Sequence, residues 1–110
     1  MRLPNAHQAW IPREKLVDYL LSTTHSVGSA KAKFFRGFGF GDHNIELLEE
    51  GLLLIARTSE IRDMMESDFG SKYTVDGTLQ SPSGAVVSVR TVWILEAGEV
   101  NPRFVTAYPA

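Results

Sequence analysis

The chain has 110 residues, of which 44% are apolar and 22% charged, with a net charge of -2 and no cysteine. That size carries one domain around one core, and the composition is that of a folded protein rather than a disordered one. Without cysteine, disulfides, a thiolate nucleophile and cysteine-ligated zinc are all excluded.

In chain order, the sequence opens with a short extended piece, Leu3 to Trp10. Pro12 suits the first turn of a helix, where its missing N–H would have had no partner. That helix is predicted to run to about Leu21, burying Leu16, Val17, Leu20 and Leu21. A polar connector, Ser22 to Gly28, leads to Ser29 as the cap of a second helix from Ala30 to about Phe38, with Phe34 and Phe35 on its buried face. Gly37, Gly39 and Gly41 alternate with phenylalanines and permit a left-handed, closely packed turn. Asp42 is expected to cap a third helix reaching Ala56 or Arg57. Its apolar stripe is Ile45, Leu48, Leu52 and Ile55, widened by Leu47 and Leu54, which predicts deep wedging against a sheet.

From Glu60 the apolar period shortens. Ile61–Glu66 reads as a strand, and Tyr73–Leu79 alternates Tyr73, Val75, Gly77 and Leu79 against Thr74, Asp76 and Thr78. Ser81-Pro82-Ser83-Gly84 is a turn. Ala85–Leu95, rich in Val, Thr, Trp and Ile, is the strongest strand. Glu96 to Pro102 turns again before a last strand, Arg103–Tyr108. The order predicts an α+β domain: about three N-terminal helices packed on a C-terminal four-stranded antiparallel meander.

The longest apolar run, Leu52–Ala56, is too short to cross a bilayer. The first ten residues lack the apolar run of a signal peptide, so the cytoplasm is the expected location. Charge is unevenly spread. Residues 1–40 carry six basic and two acidic side chains, whereas residues 41–70 carry two and eight. Such a division either reflects solvated helix surfaces or brings a phosphate to one face.

Of the three histidines, His7 and His43 read as surface residues. His25, in the polar connector before the basic helix, is either a loop residue or a proton-transfer group. The histidines show no metal-ligand spacing. Lys33 and Arg36 share a helix face, whereas Lys31 points elsewhere, either to solvent or toward a phosphate that gains charge in a transition state. In the strong strand, Thr91 and Trp93 share a face with Val87 and Val89, and Arg90 lies opposite with Val92 and Ile94. Regular alternation places Thr106 and Tyr108 beside Phe104. These hydroxyls and aromatics either line an open surface suited to phosphates and bases or belong to the core. No phosphate-cradling loop, nucleophile elbow or carboxylate pair is present.

Several blocks nevertheless carry a resemblance: Leu3-Pro4-Asn5-Ala6, Ile11-Pro12, Lys15-Leu16, Tyr19-Leu20-Leu21, His25, Val27-Gly28, Lys31-Ala32 and Phe34-Phe35 in the first half. They continue with Gly70, Lys72-Tyr73, Val75, Gly77-Thr78-Leu79, Val89 to Ile94, and Pro102 to Pro109. In these the chain resembles an uncharacterised family of small bacterial proteins and the related C-terminal toxin modules of large secreted ones. More distantly, helices followed by a meander resemble the barnase/EndoU/colicin/RelE-like (BECR) ribonucleases. That likeness implies metal-independent, cofactor-free RNA cleavage by 2′-OH attack. It implies His25 as the proton-transfer residue and Lys31 as the phosphate cation. Arg90 or Thr91, with Thr91 the preferred of the two, would sit with Thr106 at the scissile phosphate, Lys33 would assist binding, and Trp93 or Tyr108 would stack a base. Related sequences often carry a basic residue or histidine where this chain has Ala30, and proline where it has Ser26, so one catalytic side chain of the pattern is missing. The partners implied are an RNA substrate and a neutralising protein. The alternative is a non-enzymatic binding module, such as an antitoxin, immunity or assembly protein, whose acidic middle segment meets a basic partner. The two readings differ in geometry: a nuclease brings Lys31, Thr91 and Thr106 to one open cleft.

Overall fold

The computed structural model describes residues 1–22, 24 and 29–110. The helical half holds α1 (Arg13–Lys15), which continues directly into a π turn (Leu16–Leu20), then α2 (Ser29–Gly37) and α3 (Ile45–Thr58). The sheet holds β1 (Ile61–Ser67), β2 (Gly70–Gln80), β3 (Val86–Glu96) and β4 (Arg103–Pro109), antiparallel in the order β1-β2-β3-β4. This is the α+β meander expected from the sequence. Among the described residues no helix is long and apolar enough to cross a membrane.

One face of the sheet is covered by helix and the other is open. The covered face carries Tyr73, Val75 and Leu79 from β2, Val87, Val89, Thr91 and Trp93 from β3, and Phe104 and Ala107 from β4, all buried. Against them pack Leu48, Leu52 and Ile55 of α3 together with Leu16, Leu20, Leu21 and Phe35. Two glycines set the approach of α3 to the sheet. A Cβ on Gly51 would lie 2.6 Å from the Leu79 side chain, and one on Gly77 would lie 2.8 Å from that of Ile55.

Details of the helices differ from expectation. The first helix is not regular: after one α turn it widens, and the Leu21 N–H donates to Leu16 O, five residues back, at 2.9 Å. Such widened turns reset which side chains share a face. Asp42 does not cap α3. It lies in a short 3₁₀ turn (Asp42–Asn44), and Asn44 Oδ1 accepts the Gly41 N–H at 2.7 Å instead. Leu47 and Leu54 are exposed, so the buried stripe of α3 is narrower than the apolar pattern suggested. A 14-residue helix over a curved sheet buries one side, and these two leucines fall beyond its margin.

Two bulges matter more. In β1, Ile61 pairs with Val75 and Asp63 with Thr74, which leaves Arg62 as the extra residue. In β4, Phe104 pairs with Trp93 and Thr106 with Val92, which leaves Val105 as the extra residue. One extra residue flips everything that follows to the other face. Phe104 is therefore core, while Thr106 and Tyr108 turn outward, correcting the expectation that the three share a face.

The β1–β2 turn depends on one glycine. Gly70 has φ +138°, and a Cβ there would lie 2.2 Å from the Leu95 carbonyl oxygen. Gly70→Ala is expected to lose about 2 kcal/mol or more of stability, the range for a side chain forced into forbidden backbone space. Urea unfolding of the two proteins checks it.

Candidate functional site

At the outer edge of β4, which Trp10 joins at its start through Phe104 N–H to Trp10 O at 3.0 Å, a tyrosine gathers groups that are distant in sequence. Tyr19 lies in the π turn, half-buried, and its hydroxyl stands 3.0 Å from the Thr106 hydroxyl. The Lys15 ammonium lies 5.0 Å from the Tyr19 ring centroid, and the Lys31 ammonium, from α2, lies 5.6 Å from it. Both distances are those of cation–π contact. Lys15 and Tyr19 are four residues apart, the spacing that puts two side chains on one helix face, and the β4 bulge turns Thr106 toward the Tyr19 hydroxyl. Neither lysine forms an ion pair among the described residues.

Arg36 holds this arrangement rather than joining it. Its Nε and Nη2 donate to Leu21 O at 2.9 and 2.7 Å, and Nη2 also meets Asp42 at 3.0 Å. The guanidinium thereby caps the π turn from α2, which fixes Lys31 relative to Tyr19. On another face of α2, exposed Lys33 lines an open groove of about 580 Å³ with Ser29, Ala30 and Arg36.

The open sheet face carries a second polar group. Arg90 donates to Asp76 through Nε and Nη2 at 2.8 and 3.0 Å, and Arg62 approaches the same carboxylate at 3.4 Å. Tyr108 pairs across from Arg90 in the ladder. The Arg90 hydrogen bonds hold the Asp76 carboxyl below its ordinary value of 3.8, against the opposing pull of burial. A depressed folded-state pKa stabilises the protein above the unfolded value and is lost as pH falls through the folded one. Asp76→Asn is therefore expected to lower stability by about 1 kcal/mol at neutral pH. The difference should begin to shrink as the pH falls below 3.8 and disappear only below the lower folded-state pKa, as denaturation series at several pH values would record.

The expected site residues thus separate. Lys31 and Thr106 meet through Tyr19. Arg90 and Tyr108 are neighbours on the open face, and Thr106 lies two residues from Tyr108 on that same face. Thr91 and Trp93 do not join them, and their placement on an open surface is corrected. Thr91 is fully buried and donates to Val75 O at 2.7 Å, while its oxygen accepts the Trp93 indole N–H at 2.8 Å. Their physical role is to satisfy polar groups inside the core. His25 lies outside the described residues. Lys15 and Tyr19 were not singled out as chemical groups from the sequence, although both fall in the blocks that carry the family resemblance. Among the described residues, no three His, Asp or Glu side chains cluster as metal ligands would.

The family model described as a domain of unknown function, DUF6883, matches residues 2–110. The chain belongs to that family. No curated protein matches the sequence. Among solved structures, the fold is similar to that of a chain in a contact-dependent growth inhibition toxin–immunity protein complex from Klebsiella pneumoniae 342. The TM-score is 0.76 at 18% identity, over 94% of this chain and 95% of that one. The DUF6883 domain and that chain therefore share an architecture from end to end.

Proposed function

We propose that this DUF6883 domain is the toxin member of a toxin–immunity pair and cuts RNA without a metal ion, at the Lys15–Tyr19–Lys31–Thr106 cluster. The observation that carries the reading is the convergence of two lysines, neither in an ion pair among the described residues, and two hydroxyls from opposite ends of the chain on one solvent-reaching edge. The architectural likeness to a chain of a toxin–immunity complex supports it. In this reaction a base takes the 2′-OH proton, O2′ bonds to phosphorus, and the bond to O5′ breaks as that oxygen is protonated. The products are a 2′,3′-cyclic phosphate and a 5′-hydroxyl. Charge accumulates on the phosphate oxygens as the new bond forms, and fixed cations placed there lower the barrier. Lys15 and Lys31 supply that charge, while the Tyr19 and Thr106 hydroxyls donate hydrogen bonds to the same oxygens. His25 is assigned the proton transfer from the sequence resemblance. Tyr108 on the open face offers a stacking ring beside Arg90, and the Lys33 groove offers a path for the flanking backbone.

Purified protein incubated with total RNA in EDTA should yield fragments with cyclic phosphate ends, and its expression should arrest bacterial growth. Intact RNA and normal growth would sink the reading. The immunity reading has its own support in the exposed β1 edge, which carries Asp63 and Glu66. It predicts the opposite phenotype: expression harmless alone and protective against a toxin.

A further inference from the structure

The outer edge of β1 has a chemistry separate from that of the β4 edge. β1 has a strand neighbour on one side only, and every residue from Arg62 to Ser67 is exposed. An open edge presents a row of N–H and C=O groups ready to pair with another strand. This edge already accepts one at its start: the Ile61 N–H donates to Met1 O at 2.7 Å, and Arg2 bridges Glu60. Beyond that point, the Met64 N–H is satisfied at 2.9 Å by the Asp63 carboxylate, a side chain standing where a strand carbonyl would be. Because Met64 points its N–H away from β2, Glu66 does the same.

The surroundings indicate what the missing strand carries. Met65 is 70% and Phe69 81% exposed, and with Ser67, Gly70, Lys72 and Ile94 they line a hollow of about 290 Å³. Asp63, Glu66 and Asp68 are exposed and form no ion pair among the described residues, while Arg62 is engaged by Asp76. The edge is therefore acidic, and next to its end the open sheet face forms a hollow that runs from Met65 across Lys72 to Ile94. We propose that it binds an extended, Lys/Arg-rich segment of a partner protein, which adds to the sheet as a fifth strand beside β1 and places an apolar side chain against Met65 and Phe69. A second copy of this chain is the wrong occupant, since pairing two β1 edges sets the same three carboxylates against each other.

β1 and β4 are opposite edges of the sheet, three strand spacings or roughly 14 Å apart. A strand on β1 leaves the Lys15–Tyr19–Lys31–Thr106 cluster open, so partner binding and RNA cleavage are separable. The test uses the full chain and two synthetic extended peptides. One is rich in Lys, Arg, Val and Ile; the other has Glu in place of every basic residue. By calorimetry the basic peptide should bind at least about tenfold more tightly, and the preference should shrink with added salt. Amide exchange should slow at Met64 and Glu66. Combined Glu66→Lys and Asp68→Lys changes, both on exposed side chains, should abolish the preference, while Lys31→Ala should leave it intact. Equal binding of both peptides, protection at β4 instead of β1, unchanged binding by the reversed variant, or dimerisation through β1 in sedimentation would each overturn the proposal. None of these outcomes depends on whether the protein cleaves RNA.

Discussion

Trp93→Ala is expected to lower stability by about 3–5 kcal/mol, the range for removing a large aromatic side chain from a close-packed interior. The indole is fully buried and meets Phe104 edge-to-face, with ring centroids 5.3 Å apart at 73°. It also ties β3 together through its N–H to Thr91, whose own hydrogen goes to Val75 on β2. Removing the ring leaves a void beneath three strands, and the Thr91 oxygen loses its donor. Thr91→Val should cost less, because only the hydrogen bonds are lost while the shape is kept. Urea unfolding of the three proteins would show the order Trp93→Ala, Thr91→Val, parent. A Trp93→Ala protein as stable as the parent would contradict the core described here.

The second large effect concerns RNA cleavage and rests on the proposed function. Lys31→Ala should slow cleavage by about 100-fold, the scale for losing one fixed donor to a charge-gathering phosphate. Tyr19→Phe keeps the ring beneath both ammonium groups and removes only the hydroxyl. It should cost about tenfold, the equivalent of one hydrogen bond. Because Lys31 reaches solvent, its loss should barely move the unfolding midpoint, which separates a chemical role from a structural one. Cyclic-phosphate release measured against time for each variant provides the comparison. Parent-like rates for Lys31→Ala would remove the cluster from the mechanism.

Much of the architecture was legible in the residues. The change from helical spacing in Ile45, Leu48, Leu52 and Ile55 to alternation in Tyr73, Val75, Gly77 and Leu79 marks the passage from helix to sheet. Alternation also held the answer for Thr91 and Trp93. They share a side with Val87 and Val89 and oppose Ser88 and Arg90, which is the signature of a covered face. Thr106 and Tyr108 were harder. Val105 is an ordinary strand residue, and nothing local announces the bulge that turns them away from Phe104. The Lys15–Tyr19 pair was within reach, since helical spacing of four puts them on one face, but nothing local announces that Lys31 and Thr106 come to the same ring and hydroxyl. Leu47 and Leu54 show the opposite limit: apolar side chains at the margin of a stripe report hydrophobicity, whereas burial depends on how far the sheet extends beneath them.

The link between Tyr19 and Thr106 spans 87 residues. The strands of the meander pair with their immediate successors, so hairpins can zip up early at small entropic cost, whereas joining the first helix to the last strand closes a loop through most of the chain. The polar cluster on that seam is consequently assembled late. A chain still emerging, threading or half-collapsed holds its lysines far from Thr106 and has no such cluster at all. Under the proposed function, completion of folding is then what arms the domain.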